Sequence, residues 1–406
     1  MRVVVTGMGV VSPIGIGTAQ FWAAAVNGIS GIKRIEGFDA SDQRSQVAGQ
    51  VPSFNPSDFL SPKLLDQIDR FAQLALLASK LALEDAGGLD SYDPGRVAVS
   101  IGSGMGGFGT FESSAIRKFR NQPVPPFTVP RTMANSAAAW VAIKHRFTGV
   151  NLTCSTACSS GANAIGMALD LLRSGRADVV VAGGAEACVL PLTMTSFEIL
   201  RALSTGFNTD PERASRPFAK GRDGFVMSEG AGILILEREE KAKQRGARGY
   251  ARLAGFGQTC DAAHIVMPDM NGQVAAMRGA IVDAGLEPED IDHINAHATS
   301  TPLGDIVETR AVKNLFGERA KNIPISATKS LIGHSIGASA AMSSIATIMA
   351  LHTGTVHPTI NLDEADPECD LDYTPNQAQQ KNPRTGLCNA FGFGGNNASI
   401  LFTTLE

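Results

Sequence analysis

The sequence lacks the features that mark several classes of protein. Its 35 basic and 39 acidic residues leave a net charge of −4, which weighs against nucleic acid as the main partner. The six cysteines show no metal-ligand spacing, so reduced thiols in a cytoplasmic protein are expected. Residues 1–7 lack the apolar core of a signal peptide, and no run of about 18 apolar residues predicts a membrane span. No nucleic-acid or membrane partner is therefore expected.

The composition is that of a well-packed globular protein. The 406 residues are 44 % hydrophobic and 18 % charged, with 43 Gly and 20 Pro, which argues against disorder. Strand-like and helix-like runs alternate along the whole chain, and this alternation predicts a layered α/β fold with buried sheets. The length suits two domains or one large unit built from two halves.

The second half of the chain repeats the first at low resolution, which predicts two domains at 1–250 and 251–406. A charged helix over 238–248 links them. A cleft between duplicated halves is a natural place for chemistry. The matching predicted segments are 2–9 with 251–257, 67–87 with 273–285, 97–101 with 291–296, and 232–236 with 399–403.

Cys158 occupies the most informative position in the chain. A short strand over 150–156 precedes it and a helix follows it, so the cysteine falls at a strand-to-helix corner. Backbone N–H groups and the positive end of a helix dipole favour a thiolate at such a corner. The small residues Ser159, Ser160 and Gly161 leave room for a substrate. This context predicts a nucleophile, whereas a lone cysteine is more often an inert core residue.

Three further segments are expected to meet Cys158 in the cleft. Residues 295–305 carry His297 in a hydroxyl-rich turn, 326–334 carry Lys329 and His334, and 389–397 form a glycine-dense hairpin. One thiol, two imidazoles, one ammonium and exposed backbone amides predict a covalent acyl-transfer site.

Residues 102–107 satisfy the pattern Gly-x-Gly-x-x-Gly after a predicted strand. A dinucleotide site needs a helix that opens at this turn and an acidic residue about 20 positions later. The following residues, Phe108–Ser113, do not predict a convincing phosphate-binding helix. Turn glycines beside a substrate pocket are the preferred interpretation.

These segments resemble the β-ketoacyl-acyl-carrier-protein synthases, and most closely their synthase II branch. The resemblance runs from the opening strand to the C-terminal hairpin, and the Cys–His–His set in these contexts is highly specific. It implies a thiolase fold, with duplicated α/β/α halves forming a five-layered αβαβα core. The segments that carry it include 3–15, 156–161, 216–218, 222–232, 295–305, 326–334 and 392–397.

The resemblance implies a decarboxylative Claisen condensation. Cys158 would take an acyl chain as a thioester, and the backbone N–H groups of Cys158 and Phe393 would hold the oxyanion. His297 and His334 would stabilise the enolate formed when malonyl loses carbon dioxide. Lys329 would tune the electrostatics, and the side chain of Phe393 would gate the acyl pocket. No metal or dissociable cofactor is required.

The same resemblance implies the substrate contacts and the partners. Thr299 and Thr301 match positions that hold a phosphopantetheine arm, Met105 and Ser136 fall in segments lining an acyl pocket, and His264 is expected at the site entrance. The expected partners are an acyl carrier protein bearing acyl and malonyl groups, and a second subunit in a homodimer or in a heterodimer with a related protein.

Five positions depart from the family pattern, among them Ala219, which replaces an aspartate, and Asn396, which replaces a threonine. Ala298 stands where a glycine is usual, adding a methyl group where backbone freedom is typical. Val266 replaces a threonine that helps hold pantetheine. Ser343 replaces a glutamate that pairs near the lysine or binds a structural cation, so a cation site is in doubt and Lys329 needs another partner. These departures favour a relative specialised for a polyketide or polyene pathway.

Two other functions stay open from the sequence. A Cys–His acyl hydrolase would use the same thiol and imidazole, with water as the acceptor. A non-elongating subunit of a ketosynthase heterodimer would resemble the enzyme but lack the nucleophile, and the presence of Cys158 argues against it.

Overall fold

The computed structural model describes residues 1–405. The strands are, in chain order, β1 (Val3–Ser12), β2 (Gly15–Ile16), β3 (Ile32–Arg34), β4 (Val47–Gly49), β5 (Val97–Gly102), β6 (Asn151–Cys154), β7 (Val179–Ala187), β8 (Glu229–Arg238), β9 (Ala251–Cys260), β10 (His293–Asn295), β11 (Ile325–Ser326), β12 (Thr355–Val356), β13 (Gln379–Gln380), β14 (Thr385–Gly392) and β15 (Asn396–Thr403). The α-helices are α1 (Thr18–Val26), α2 (Pro62–Leu65), α3 (Arg70–Asp85), α4 (Phe108–Phe119), α5 (Thr128–Thr132), α6 (Ser136–His145), α7 (Ser160–Arg173), α8 (Pro191–Ile199), α9 (Glu239–Gln244), α10 (Met270–Asp283), α11 (Pro302–Phe316), α12 (Lys329–Ile332) and α13 (Ser339–Thr353).

The main sheet shows the duplication that the sequence predicts. Its strand order is β11-β10-β14-β15-β9-β1-β8-β7-β5-β6. From the centre outward, the first half contributes β1, β8, β7, β5 and β6, and the second half contributes β9, β15, β14, β10 and β11. Strands at the same distance from the centre are equivalent. β1 and β9 join the halves by pairing over only three residues, Val3 to Val5. The predicted matches of 2–9 with 251–257 and of 232–236 with 399–403 are therefore confirmed as equivalent strands.

Glycines in the two central strands let helices pack closely on the sheet. A Cβ atom at Gly9 of β1 would overlap the backbone carbonyl of Ala78 in α3, and one at Gly257 of β9 would overlap that of Ala276 in α10. Any side chain at these two positions would push the helix away from the sheet. The Gly-x-Gly pattern that ends both predicted strands therefore reflects equivalent helix packing in the two halves.

The fold has five layers of helices and sheet, which pack together through three hydrophobic clusters. The central cluster combines α7 and α13 with the inner faces of both half-sheets. A second cluster lies between the first half-sheet and α3 and α6, and a third between the second half-sheet and α10 and α11. β1 is buried at all ten of its residues because helices cover both faces of the sheet. The predicted αβαβα layering is confirmed.

One segment is long and apolar enough to cross a membrane by length and composition alone, Ile336–Thr353. Searching the sequence for a continuous apolar run misses it because serines and threonines interrupt it. In the structure 89 % of the segment is buried inside the protein, where it forms the central helix α13 and the turn before it. This is weak evidence for a membrane span.

Candidate active site

Cys158 lies at the predicted corner between a strand and a helix. β6 ends at Cys154, a 3₁₀ turn spans Ala157–Ser159, and α7 begins at Ser160. Ala157 has a φ of 51°, a left-handed conformation that costs a non-glycine residue on the order of 1 kcal/mol. This sharp turn places the thiol at the N-terminal end of α7, in the seam between the two halves.

His334 reaches the same point from the second half. It precedes a 3₁₀ turn, Ile336–Ala338, that corresponds to the turn carrying Cys158. A Cβ atom on Gly161 would come within 2.7 Å of the Gly337 carbonyl oxygen, so the two turns pack directly on each other. The His334 Nε2 atom lies 3.0 Å from the Cys158 Sγ. The close packing of two equivalent turns therefore brings the thiol and the imidazole together.

His297 lies beside His334 and is held by two charged side chains. The two imidazole rings are 5.5 Å apart and nearly perpendicular. The Lys329 Nζ donates to the His297 carbonyl oxygen at 2.6 Å and lies 3.4 Å from the His297 Nδ1. The Glu308 carboxylate accepts the backbone N–H of His297 at 2.8 Å. Lys329 thus contacts the Nδ1 side of the ring and leaves Nε2 to face the cavity.

The thiol and both imidazoles are buried, and burial dominates their protonation. Burial raises the pKa of the Cys158 thiol to about 11, against the opposing effect of Lys329. Burial, with Lys329 adding to it, holds the pKa of His334 well below its ordinary value, and the pKa of His297 is lowered in the same way. Burial thus outweighs the backbone N–H groups that were expected to favour a thiolate, and the directions of these shifts favour a neutral thiol next to a neutral imidazole.

The glycine-dense hairpin places backbone amides beside the sulfur. It connects β14 to β15, and Gly394 at its tip has a φ of 78°. A Cβ atom on Gly392 would lie 3.2 Å from the Cys158 backbone nitrogen, so the hairpin packs closely against the nucleophile turn. The backbone N–H groups of Phe393 and Cys158 both lower the pKa of the Cys158 thiol, in opposition to burial. Two donors are thus directed at the position where an oxyanion would form.

A cavity of about 530 Å³ opens onto these groups. Its size suits a small-molecule arm and part of an acyl chain. Thr299 and Thr301 lie on its wall with their hydroxyl oxygens 3.0 Å apart. The lining residues include Gly104, Met105, Cys158, Phe197, Leu200, Arg201, Phe225, Val266, Met267, His297, Thr299, Thr301, Leu303, His334, Ile336, Phe391 and Phe393.

Neither Ser136 nor His264 lies on the cavity wall, although His264, expected at the site entrance, is two residues from Val266, which does. His264 is exposed, and its Nδ1 accepts the backbone N–H groups of Val266 and Met267 at 3.1 Å each. It holds the turn that brings Val266 and Met267 to the cavity and is absent from the cavity wall. Ser136 is buried at the first turn of α6, away from the cavity. A resemblance identifies a segment, whereas the direction of each side chain depends on its local packing.

A helix, α4, begins directly after the Gly-x-Gly-x-x-Gly turn. A dinucleotide phosphate is nevertheless excluded from the turn by a carboxylate. Glu186 accepts the backbone N–H groups of Gly104 at 2.6 Å and Met105 at 3.2 Å, and the hydroxyl of Ser103 at 2.9 Å. These donors are the ones that a phosphate would need. The glycine turn instead shapes the cavity next to Met105.

The groups around Ser343 do not fit a structural cation. Ser343 is buried and its hydroxyl has no hydrogen-bond partner in the described part of the chain. The nearby amide oxygens are already used, since Asn295 accepts from Thr328 and Asn389 accepts from Ser399. Position 343 itself supplies a neutral hydroxyl in place of the negative charge that a hard cation prefers. Lys329 therefore has no glutamate partner at position 343. It donates to the His297 carbonyl oxygen and lies near the Glu308 carboxylate instead.

The sulfur and ring nitrogen atoms of Cys158, His297 and His334 lie within 4.8 Å of one another. That spacing would also suit a metal ion. The positive charge of Lys329, 3.4 Å from the His297 Nδ1, opposes a cation at this point.

Glu308 is the residue that sequence reasoning missed. It lies on α11 and is 2 % exposed, and it accepts the backbone N–H groups of both His297 and Ala298 at 2.8 Å. Asp305, three residues earlier, is also buried and accepts the Ser300 N–H at 3.1 Å. Two acidic residues three positions apart on an otherwise apolar helix face are a signal that could have located them.

Comparisons with known proteins agree with this geometry. Residues 1–242 match the N-terminal domain of β-ketoacyl synthase and 250–363 match its C-terminal domain. The chain is 44 % identical to 3-oxoacyl-[acyl-carrier-protein] synthase 2 of Synechocystis over 99 % of this chain and 97 % of that protein. It is 41 % identical to the protein of the same name from Coxiella burnetii, over 99 % and 98 % of the two chains.

Solved structures show the same fold at full length. The ishigamide ketosynthase/chain length factor superposes with a TM-score of 0.94 at 35 % identity, covering 100 % of this chain and 99 % of that one. A second similar structure is described as a type II PKS acyl-carrier protein in complex with its ketosynthase bound to the hexaketide. The matching chain superposes with a TM-score of 0.92 at 37 % identity, covering 100 % of this chain and 99 % of that one.

Proposed function

The chain belongs to the β-ketoacyl synthase family, and we propose that it condenses malonyl-acyl carrier protein with an acyl chain held on Cys158, releasing carbon dioxide. The observation that carries this proposal is the 3.0 Å contact between the Cys158 Sγ and the His334 Nε2 inside a cavity that His297 also lines. A nucleophile in contact with a base is the arrangement that covalent acyl transfer requires.

Acyl loading uses the thiol and His334. As the Cys158 sulfur attacks the acyl thioester carbonyl, its proton passes to the His334 Nε2. The backbone N–H groups of Cys158 and Phe393 hold the oxyanion. Collapse breaks the bond to the carrier's pantetheine sulfur, which leaves as a thiolate and takes the proton from the imidazolium. The neutral resting pair thus reacts without a preformed thiolate.

Condensation uses both imidazoles. Malonyl-carrier protein enters the cavity, and its carbon–carbon bond to the carboxylate breaks, which releases carbon dioxide and leaves an enolate. Nε2–H groups of His297 and His334 donate to the enolate oxygen, because charge develops there only during this step. The α-carbon then bonds to the acyl carbonyl carbon of the Cys158 thioester. The carbon–sulfur bond breaks, and the departing Cys158 thiolate takes a proton from water in the cavity. Lys329 favours the required tautomer of His297 because its ammonium donates toward Nδ1.

The acyl carrier protein is the proposed partner, and the cytoplasm is the proposed location. The names of the relatives include an acyl carrier protein, and one similar structure is a complex with such a carrier. We also propose a dimer, homotypic or with a related ketosynthase-like subunit. The supporting observation is a set of exposed apolar side chains on α4 to α6, with Phe119 87 % and Val129 68 % exposed.

The decisive experiment supplies the purified protein with malonyl-carrier protein and a series of saturated and unsaturated acyl-carrier proteins. A condensing enzyme releases carbon dioxide and forms a β-ketoacyl product two carbons longer. Free acid without a longer product would indicate a hydrolase. No acyl attachment to Cys158 from any carrier, by intact-mass spectrometry, would indicate a non-elongating subunit. The acyl chains that attach identify the preferred substrate.

A further inference from the structure

The hydroxyl group of Ser339 contacts the second ring nitrogen, Nδ1, of His334. Its Oγ lies 2.8 Å from the His334 Nδ1, on the side of the ring opposite Cys158. It also accepts the backbone N–H of Ser335 at 2.9 Å and lies 3.2 Å from the Ser335 Oγ. All three residues are at most 2 % exposed. Water therefore has little access to this side of the ring, and Ser339 alone determines what Nδ1 contacts there.

A hydroxyl group can serve either tautomer of a neutral imidazole. When the proton is on Nδ1, the ring donates to the Ser339 oxygen and leaves Nε2 free to accept a proton from Cys158. When the proton is on Nε2, the Ser339 hydroxyl donates to Nδ1 instead. In both states the Ser339 oxygen still accepts the Ser335 N–H. A backbone amide in this place could only donate, and a carboxylate could only accept.

We propose that Ser339 is a positioning residue that holds His334 toward Cys158 and supports both of its neutral tautomers. This inference rests on the proposed function, in which Nε2 acts as a base during loading and as a hydrogen-bond donor during decarboxylation. Ser339 forms no covalent bond; its hydroxyl rotates. The change of tautomer is a net transfer of one proton: Nε2 takes a proton from cavity water, and the Nδ1 proton returns to water through the hydroxyl groups of Ser339 and Ser335, which lie 3.2 Å apart.

The test compares Ser339→Ala with Ser339→Thr, which keeps the hydroxyl, and with Ser344→Ala as a matched control. Ser344 is buried on the same helix, and its hydroxyl donates to the Ala340 carbonyl at 2.8 Å. Alanine suits the first turn of α13, so folding should persist. One readout is the rate of Cys158 alkylation by iodoacetamide against pH, followed by peptide mass. The other is carbon dioxide release during condensation.

Removal of the hydroxyl leaves Nδ1 unpaired and the ring a weaker base. The Ser339→Ala variant is expected to alkylate about tenfold more slowly at neutral pH, to shift its alkylation profile to higher pH, and to condense at least about tenfold more slowly. The Ser339→Thr variant should recover most of both rates, and Ser344→Ala should match the wild type. The pH shift separates positioning from general loss of structure. The groups around His334 that also bear on this profile are Cys158, His297, Lys329, Glu186 and Glu308.

Alkylation and condensation rates of Ser339→Ala within twofold of the wild type would overturn the inference. Should Ser339→Ala melt at a much lower temperature, the near-isosteric Ser339→Cys replaces it in the condensation assay, with the same expected direction. A wild type that releases no carbon dioxide would refute the proposed function instead, and the alkylation comparison would still decide the role of Ser339.

Discussion

The imidazole of His334 lies with its Nε2 3.0 Å from the Sγ of Cys158, although 176 positions separate the two residues in the chain. Cys158 lies on the short turn before α7, and His334 lies two residues before the equivalent turn that precedes α13. The duplication of the fold therefore supplies the nucleophile from one copy and its proton acceptor from the other.

Replacement of the nucleophile should abolish acyl attachment. Cys158→Ala is expected to show no added acyl mass after incubation with acyl-carrier protein and no condensation. Cys388→Ala is the control, because Cys388 is buried near the Ala340 carbonyl and Ser344 and is not part of the cavity wall. Acyl loading that persists in Cys158→Ala, or disappears in Cys388→Ala, would contradict the assignment.

His297 should matter more for decarboxylation than for loading. His334 contacts the Cys158 sulfur, whereas the ring of His297 lies 5.5 Å from the ring of His334. His297→Ala is therefore expected to slow release of labelled carbon dioxide from malonyl-carrier protein by about 100-fold or more. Acyl loading, measured by intact mass, should change only a few-fold. His352→Ala, at the C-terminal end of α13 and not on the cavity wall, is the control. Equal losses of the two half-reactions in His297→Ala would refute this division.

Ala298 should tolerate glycine unusually well. Its φ is 44° and its methyl group is buried. Relief of a left-handed conformation gains about 1 kcal/mol, which offsets the roughly 0.8 kcal/mol lost with a buried methyl group. Ala298→Gly is thus expected to be nearly neutral in the free energy of unfolding. Ala296→Gly, at a buried position without positive φ, should cost about 1.5 kcal/mol from both effects. Equal costs in denaturant titrations would show that Ala298 carries no strain.

A carboxylate at position 343 should create cation dependence. Ser343 is buried beside polar groups that supply no negative charge. Ser343→Glu is expected to fold and to melt at a higher temperature when a monovalent or divalent cation is added at constant ionic strength, since a cation would compensate the buried charge. Ser343→Gln is the neutral control. A melting temperature of Ser343→Glu that ignores every cation would remove the basis for this expectation.

Acid should destabilise the fold through buried histidines. His357 donates from Nδ1 to the Pro358 carbonyl at 3.0 Å, and burial lowers its pKa to about 4 from 6.5. Because the folded pKa is depressed, this contribution is fully present above pH 6.5 and is lost as the pH falls through about 4. Between pH 6.5 and about 4, the free energy of unfolding of His357→Gln should therefore fall by up to about 3 kcal/mol less than that of the wild type.

The measurement is the free energy of unfolding in denaturant at a series of pH values, in which the slope is compared rather than the absolute stability. The buried carboxyl groups of Glu186 and Asp305, whose pKa values burial raises to about 7, act in the opposite direction. They are common to both proteins and cancel in the comparison. Parallel pH dependences of the wild type and His357→Gln would contradict the prediction.

Local patterns were sufficient for the elements and for the general chemistry. Short stretches of sequence show the alternation of strands and helices, the Gly-x-Gly ends of β1 and β9, and the small residues around Cys158. The predicted helix over 67–87 is found at Arg70–Asp85, and the predicted strand over 150–156 at Asn151–Cys154. Boundaries differ because capping and tertiary contacts decide where each element ends.

Side-chain directions and charge states were not accessible in this way. His264 and Ser136 lie in the expected segments but not on the cavity wall. The positions of Glu308 and Ser339 beside the two histidines were not predicted. Burial also outweighs the local effect of the helix terminus on the Cys158 pKa, since a helix dipole is a local property whereas burial depends on every layer packed around the sulfur.

By itself the sequence determined the duplicated α/β architecture and the residue types that meet at its centre, because both follow from short-range periodicity and from motifs along the chain. Only the tertiary structure decided which of those residues touch, which nitrogen of His334 faces the thiol, and in which direction burial shifts the thiol pKa. Those properties depend on the packing of two halves against each other across a water-poor seam, and no single segment contains that information.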